Sequence, residues 1–396
     1  MNLSTIAQFN LQRYPKTNDP SLRAWNAADE YLVKYLSQAL APNANSKSLK
    51  AIIINDQFGA LTLALRSLQP LIWTDSYLSL QAITQNLKEN IESVDLETFV
   101  DQQSVSLQLE ETDKSVFLAH ENGDLLTDQF DLVVMRVPKH NSLLQLQLQA
   151  IKPLLGNDTL VVAGGMTKEI HNSTTRIFEN IIGPTRTTLA EKKSRLIISQ
   201  NVPKHVTQLD IASYTIADQG LQAIGLPGVF SREKLDLGAR VLIEYLPDIA
   251  SNTLVADVGC GNGVLGALMA KKQPQSQIIL CDESALAIHS ARLTFAANRL
   301  TNGLCYHSDV FDAVPQSNFD YILCNPPFHQ QNTQTLSIAT KMFLQSAERL
   351  KSSGELRVVA NRHLKYGPIL RRYFKKVTII SDDKRFIVWL AREPKK

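Results

Sequence analysis

One architectural plan is written twice along this chain, and that repetition constrains its fold more than composition does. Ala51-Ile52-Ile53-Ile54 runs into Asn55-Asp56-Gln57-Phe58-Gly59-Ala60 and then an apolar helical pattern through Leu68. Leu254-Val255-Ala256-Asp257 runs into Val258-Gly259-Cys260-Gly261-Asn262-Gly263 and a similar pattern through Ala270. Each copy continues into a short apolar run that ends at an acid, Asp75 in the first and Asp282 in the second. Phe130-Asp131-Leu132-Val133-Val134 then parallels Phe319-Asp320-Tyr321-Ile322-Leu323, and the run from Leu154 to Val162 resembles that from Leu350 to Val359. Correspondences kept in one order mark an internal duplication.

Short apolar strands alternating with longer helical patterns predict an α/β chain of two tandem Rossmann-like domains, each a doubly wound parallel sheet. At 396 residues the chain exceeds one typical core. The polar stretch 200–208 sets the expected boundary, giving domains 1–205 and 206–396, the second opening with a helix over 234–245. No basic-then-apolar leader pattern opens the sequence and no apolar run is long enough to span a bilayer, so a cytoplasmic enzyme with no membrane partner is expected. Cys260, Cys281, Cys305 and Cys324 lack CxxC spacing, which suits reduced, packed thiols and indicates no metal.

The two copies differ where chemistry would occur. The first has one glycine, Gly59, where the second has Gly259, Gly261 and Gly263. It has Arg136-Val137-Pro138-Lys139 where the second has Asn325-Pro326-Pro327-Phe328. The first domain is therefore expected to be degenerate, keeping the fold without cofactor or catalysis.

A strand feeding a glycine-rich turn and a helix brings backbone N–H groups close to a nucleoside ligand. The turn lacks G-x-G-x-x-G spacing, and the Asp257 carboxylate would repel a pyrophosphate while pairing with the ammonium of S-adenosylmethionine. Asp282, one strand later, is placed for the ribose hydroxyls, and Asp309, after the next strand, for the adenine amino group. Asn262 completes the turn and is expected, with its glycines, to contact the cofactor.

Asn325-Pro326-Pro327-Phe328 ends the apolar run Tyr321-Ile322-Leu323-Cys324. An exocyclic amine conjugated to a ring is a poor nucleophile because its lone pair is delocalised. The Asn325 side-chain oxygen and the Pro326 carbonyl supply two acceptors for its N–H groups, favouring a pyramidal nitrogen, and proline has no N–H to compete. Phe328 would stack on the ring. Together with the turn, this points to methyl transfer from S-adenosylmethionine onto an amine nitrogen.

Net charge is only +3, but residues 341–396 hold 15 Lys and Arg against 5 Asp and Glu, while the remainder holds 26 against 33. A basic C-terminal region that includes Arg371-Arg372 and Lys375-Lys376 suits phosphate contacts, or equally a solvated helix face and charged tail. Arg362 and Lys365, near an expected strand end, are further candidates for phosphate contacts.

Leu11-Gln12-Arg13-Tyr14-Pro15, Ala24-Trp25-Asn26-Ala27-Ala28-Asp29-Glu30-Tyr31-Leu32, Pro227-Gly228-Val229-Phe230-Ser231, Asn325 to Gln331 and Ala360-Asn361-Arg362-His363-Leu364 resemble the bacterial ribosomal RNA large subunit methyltransferase G family. The resemblance covers nearly the whole chain. It implies two class I methyltransferase domains, the N-terminal one degenerate and engaged with RNA, and the C-terminal one methylating a guanine N2 of large-subunit (23S) rRNA. No obligate protein partner is implied. The sister small-subunit (16S) rRNA enzyme shares the Gly-Val-Phe-Ser and Asn-Pro-Pro-Phe segments. A non-catalytic RNA-binding assembly factor is the alternative from another class.

Overall fold

The computed structural model describes residues 3–17, 19, 22–41, 49–91, 103–109, 116–120, 123–203, 210–327, 333–382 and 384–395. They form two compact units, Met1–Asp210 and Ile211–Lys396. Strands of the first unit are β1 (Ala51–Ile54), β2 (Leu71–Trp73), β3 (Ser104–Leu109), β4 (Val116–His120), β5 (Phe130–Arg136), β6 (Leu155–Met166), β7 (Thr185–Thr187) and β8 (Ser194–Gln200). They make one sheet in the order β4-β3-β2-β1-β5-β6-β8-β7. The second unit opens with the hairpin β9 (Ala212–Ile216) and β10 (Leu221–Gly225). Its main sheet contains β11 (Leu254–Val258), β12 (Gln277–Asp282), β13 (Gly303–His307), β14 (Phe319–Cys324), β15 (Leu350–Asn361), β16 (Phe374–Asp382) and β17 (Phe386–Pro394). Its order is β13-β12-β11-β14-β15-β17-β16.

Apart from the extra edge strand β4, the two sheets have the same topology. The inner strands are parallel in both, and each sheet ends in an antiparallel pair, β8 with β6 and β7, β17 with β15 and β16. The register repeats down to an irregularity. Phe130 pairs with Leu155 and Leu132 with Leu160, just as Phe319 pairs with Leu350 and Tyr321 with Glu355. The expected plan of two tandem α/β domains is the fold observed.

Central strands are buried on both faces: every residue of β1 is buried, and Ile278 through Cys281 of β12 are fully so. That is why these segments read as unbroken apolar runs rather than alternating ones. The hairpin β9–β10 is fastened to the helix Ala285–Ala297 through Ser290 and Thr294, whose hydroxyls accept the Leu226 and Ile224 N–H groups. The four cysteines are free thiols whose pKa values burial raises, so they serve as apolar packing. Among the described residues no helix is long and apolar enough to cross a membrane.

The second unit's first helix runs Leu237–Glu244, not 234–245. Asp236 is its N-cap, with extended backbone and a carboxylate that accepts the Ala239 N–H at 2.9 Å. An acid at that position stops the helix from growing backward through it. In the first unit the helix Ala27–Leu40 is capped by Asn26.

A buried ion pair occupies the first unit at the end of β5. The Arg136 guanidinium bonds Asp29 at 2.6 Å and the Asn26 side chain at 3.0 Å, with both charged side chains under a tenth exposed. Removing one partner leaves a buried charge uncompensated. Asp29→Ala should therefore destabilise the first unit by about 3–5 kcal/mol, measured as a fall in its denaturant midpoint. An unchanged midpoint would show that Arg136 finds water instead.

Candidate active site

Because β11, β12, β13, β14 and β15 are parallel, the loops after them all leave from one edge of the sheet. Strand order reverses between β11 and β14, the place where open α/β sheets form a crevice. The glycine turn follows β11, Asp282 ends β12, Asp309 follows β13 and Asn325 follows β14. The fold thus brings the glycine turn, Asp282, Asp309 and Asn325 to this one edge.

Gly259, Gly261 and Gly263 all adopt positive φ, at 69°, 54° and 76°. A Cβ on Gly263 would lie 2.8 Å from the Ala291 Cβ, so packing and conformation both demand glycine. A Cβ on Gly261 meets open space, so there the turn faces outward rather than into protein. The Gly261 N–H donates to Asp282 Oδ2 at 2.9 Å, and Asp282 Oδ1 accepts the Ser284 N–H at 3.0 Å. One carboxylate therefore ties the turn to the N-terminus of the next helix.

Asp257 is placed differently from what pairing with a ligand ammonium needs. It lies beneath the turn, 1% exposed, with Oδ2 accepting the Gly266 N–H at 2.8 Å. Burial raises its pKa to about 7 against the lowering effect of that bond, and the nearby Asp282 charge adds to the rise. Asn262 is also buried, and its side-chain amide donates to the Tyr214 hydroxyl of β9 at 3.1 Å. Asp309 is nearly buried and forms a salt bridge with Lys341, which also binds Asp312 at 2.7 Å.

Asn325 is partly buried, Pro326 buried and Pro327 exposed. The Asn325 Nδ2 donates to Asp236 Oδ2 at 3.2 Å, while its Oδ1 is buried with no hydrogen-bond partner among the described residues. An unsatisfied buried acceptor costs free energy, and native structures keep few of them. Phe328 and His329 lie outside the described residues.

Strand register identifies what stands at each of these positions in the first unit. Ala51 pairs with Leu132 as Val255 pairs with Tyr321, so Asn55, Gln57 and Gly59 correspond to Gly259, Gly261 and Gly263. Asn55 keeps the left-handed backbone at φ 63°, but Gln57 puts a side chain where Gly261 leaves space. The same register makes Thr74, not Asp75, the counterpart of Asp282. The Thr74 hydroxyl accepts the Ser76 N–H as Asp282 accepts that of Ser284, but it offers no second oxygen. Arg136 stands in the place of Asn325, with donors only. The helix-anchoring acid has moved too, from the Asp257 strand position to Asp56 in the loop, which accepts the Thr62 N–H at 2.8 Å.

Asp236, Tyr214 and Lys341 were not anticipated. Asp236 carried a usable signal, an acid immediately before an apolar helical run, which placing the helix start at 234 hid. Tyr214 and Lys341 reach the site from distant elements, and no local pattern marks them. The basic C-terminal region also divides. Asn361 of β15 pairs with Phe386, and the Arg362 N–H meets the Arg385 carbonyl, so exposed Arg362, His363, Lys365, Lys384 and Arg385 lie at the Asn325 edge. Lys376 pairs with Arg392, itself opposite Glu355, which puts Lys375, Lys376, Arg371 and Arg372 at the other end of the sheet. The six residues between imply a separation of roughly 20 Å.

Two family models match: RLMG N-terminal domain over residues 2–203 and Methyltransferase small domain over residues 220–390. The chain is 36% identical over 390 residues to a ribosomal RNA large subunit methyltransferase G of Streptomyces avermitilis, covering 97% of this chain and 96% of the relative. It is likewise 36% identical to a protein of that name from Pseudoalteromonas translucida, over 97% of this chain and 95% of the relative. Its fold is similar to that of the T. thermophilus 16S rRNA N2 methyltransferase, solved in complex with AdoMet and guanosine. That match has TM-score 0.71 at 20% identity and covers 93% of this chain and 92% of the other.

The raised pKa of Asp257 fixes a sign for its pH dependence. Its contribution to stability is fully present below about pH 4 and is lost as pH rises through about 7, because the folded state holds the proton longer than the unfolded one. Asp257→Asn keeps an acceptor for Gly266 and does not titrate. The drop in the melting temperature of the second unit between about pH 5 and pH 8 should shrink in this variant. An equal drop in both proteins would reject the assignment.

Proposed function

Since this chain belongs to the ribosomal RNA large subunit methyltransferase G family, we propose that its second unit methylates the exocyclic N2 of a guanine in 23S rRNA. The observation that carries this reading is the buried Asn325 Oδ1 at the end of β14, which has no hydrogen-bond partner among the described residues. It is an acceptor waiting for a donor, and an aromatic amine brings one.

The reading assigns roles as follows. Asn325 Oδ1 and the Pro326 carbonyl accept the two N2–H groups, and Pro327 and Phe328 hold the base, Phe328 by stacking on it. Bound S-adenosylmethionine supplies an electrophilic methyl group on a sulfonium sulfur. The N2 lone pair attacks the methyl carbon in line, the C–S electron pair returns to sulfur, and the nitrogen releases one proton to water. Alignment is the main contribution of the protein, so no strong base is needed. Gly259, Gly261 and Gly263 let the turn approach the nucleoside, and Asp282 accepts from the ribose hydroxyls. Asp309, one oxygen of which is held by Lys341, accepts from the adenine amino group. Asp257 and Asn262 support the turn from behind. No metal enters this chemistry.

The target base has to leave its stack to reach Asn325, so single-stranded or loosely paired RNA fits best. Residues 1–205 engage RNA without cofactor, and residues 206–396 are the catalytic domain. Arg362, Lys365, Lys384 and Arg385 flank the site edge and suit phosphate contacts near the reacting nucleotide. The protein would act on rRNA in the cytoplasm.

Asn325→Ala should abolish N2 methylation while leaving S-adenosylmethionine affinity nearly intact, whereas Asp282→Ala should weaken that affinity at least tenfold; calorimetric binding and methyl-transfer assays on rRNA distinguish the two. Unchanged turnover in the first variant would remove Asn325 from the chemistry. Lys365→Ala with Lys384→Ala should lower the salt dependence of RNA binding by about 1.4 units of log–log slope, about 0.7 for each phosphate contact to a single strand. Lys375→Ala with Lys376→Ala should matter less, and the reverse ranking would move the RNA path to the other end of the sheet.

A further inference from the structure

The side chain of Asp236 is aimed at Asn325 across the sheet edge, and nothing in the assigned chemistry uses it. We infer that Asp236 is the positioning residue of the reaction: it locks the Asn325 amide with its carbonyl oxygen turned to the substrate. This rests on the reading of Asn325 given above.

A primary amide can bind in two orientations that differ by a half-turn, exchanging donor for acceptor. Asp236 Oδ2 lies 3.2 Å from Asn325 Nδ2. A carboxylate only accepts, so it can face only the NH2 end of the amide. The Asn325 Oδ1 must then point away from Asp236, where it is buried and has no partner among the described residues. Flipped, the amide would set oxygen against oxygen beside a carboxylate and present N–H to an amine that has its own N–H groups to donate. Both faces of the site would then be wrong at once.

Asp236 is itself held in place. The same Oδ2 accepts the Ala239 N–H at 2.9 Å, so the carboxylate is fixed by capping its helix. The structure thus couples a helix N-cap to the end of β14, two elements 89 residues apart in the chain.

The first unit supplies an internal comparison. There the helix N-cap is Asn26, and the residue at the strand end, Arg136, donates to its side-chain oxygen at 3.0 Å. Cap accepts and strand end donates in both units. Only in the second does the donating residue also carry an acceptor on its far side. The contact is therefore a constant of the duplicated fold, and Asn325 has turned it into an oriented catalytic group.

Capping and orientation separate in the test. Serine is as good an N-cap as aspartate, but its hydroxyl is too short to hold Asn325. With the full-length chain and rRNA substrate, Asp236→Ser should lose kcat by about 100-fold, the scale of a misplaced reacting group. Melting temperature, S-adenosylmethionine affinity and KM for RNA should stay near wild-type values. Asp236→Asn, which retains an oxygen acceptor that can meet both N–H groups, should recover most of the loss. Wild-type kcat in Asp236→Ser overturns the inference, as does a loss that appears only in KM. Equal losses in the Ser and Asn variants also overturn it, since the charge and not the orientation would then matter. Asn325→Ala, measured alongside, identifies a different failure: if that variant keeps wild-type turnover, the reading of the site falls rather than the role of Asp236 within it.

Discussion

The parallel pairing of β12, β11, β14 and β15 is the constraint on which the rest of the second unit depends. Parallel strands begin at one edge and end at the other, so every loop that follows a strand is delivered to the same edge. A glycine turn, the acid Asp282 and an amide separated by tens of residues are brought to one edge for that reason alone. Hydrogen bonds then refine their positions: Asp282 joins the turn to the following helix, and Asp236 joins another helix cap to the strand end.

The first unit obeys the same constraint and does not carry the same site. Its sheet has the same order, its bulge falls at the same residue, and its turn still opens with a left-handed residue at Asn55. What changed is small and chemical. Gln57 carries a side chain where Gly261 has none, Thr74 gives one oxygen where Asp282 gives two, and Arg136 presents donors where Asn325 presents an acceptor. The buried Arg136–Asp29 pair occupies the strand end where the second unit places Asn325. A backbone plan tolerates such exchanges because the core strands that define it are untouched.

Much of this was legible in the chain itself. Unbroken apolar runs gave the central strands because both faces of a parallel sheet are covered, and repetition of their order gave the two domains. Glycines with positive φ, and an amide and two prolines after a strand, marked the edge where chemistry belongs. Legibility ended where contacts are long-range or orientational. The role of Asp257 looked ligand-facing, yet the carboxyl is buried under the turn, because sequence does not tell which side of a strand end a side chain leaves. Asp75 looked like the partner of Asp282, but the sheet register shifts the match to Thr74. The basic tail read as one patch, and strand pairing splits it between opposite ends of the sheet.

The central claim is that a fold present twice serves a cofactor only once. Calorimetric titration of the full-length chain with S-adenosylmethionine measures that directly through its stoichiometry. One molecule bound per chain, its affinity cut at least tenfold by Asp282→Ala and unaffected by Thr74→Ala, is the predicted result. Two molecules per chain, or one whose affinity Asp282→Ala leaves unchanged, would contradict it.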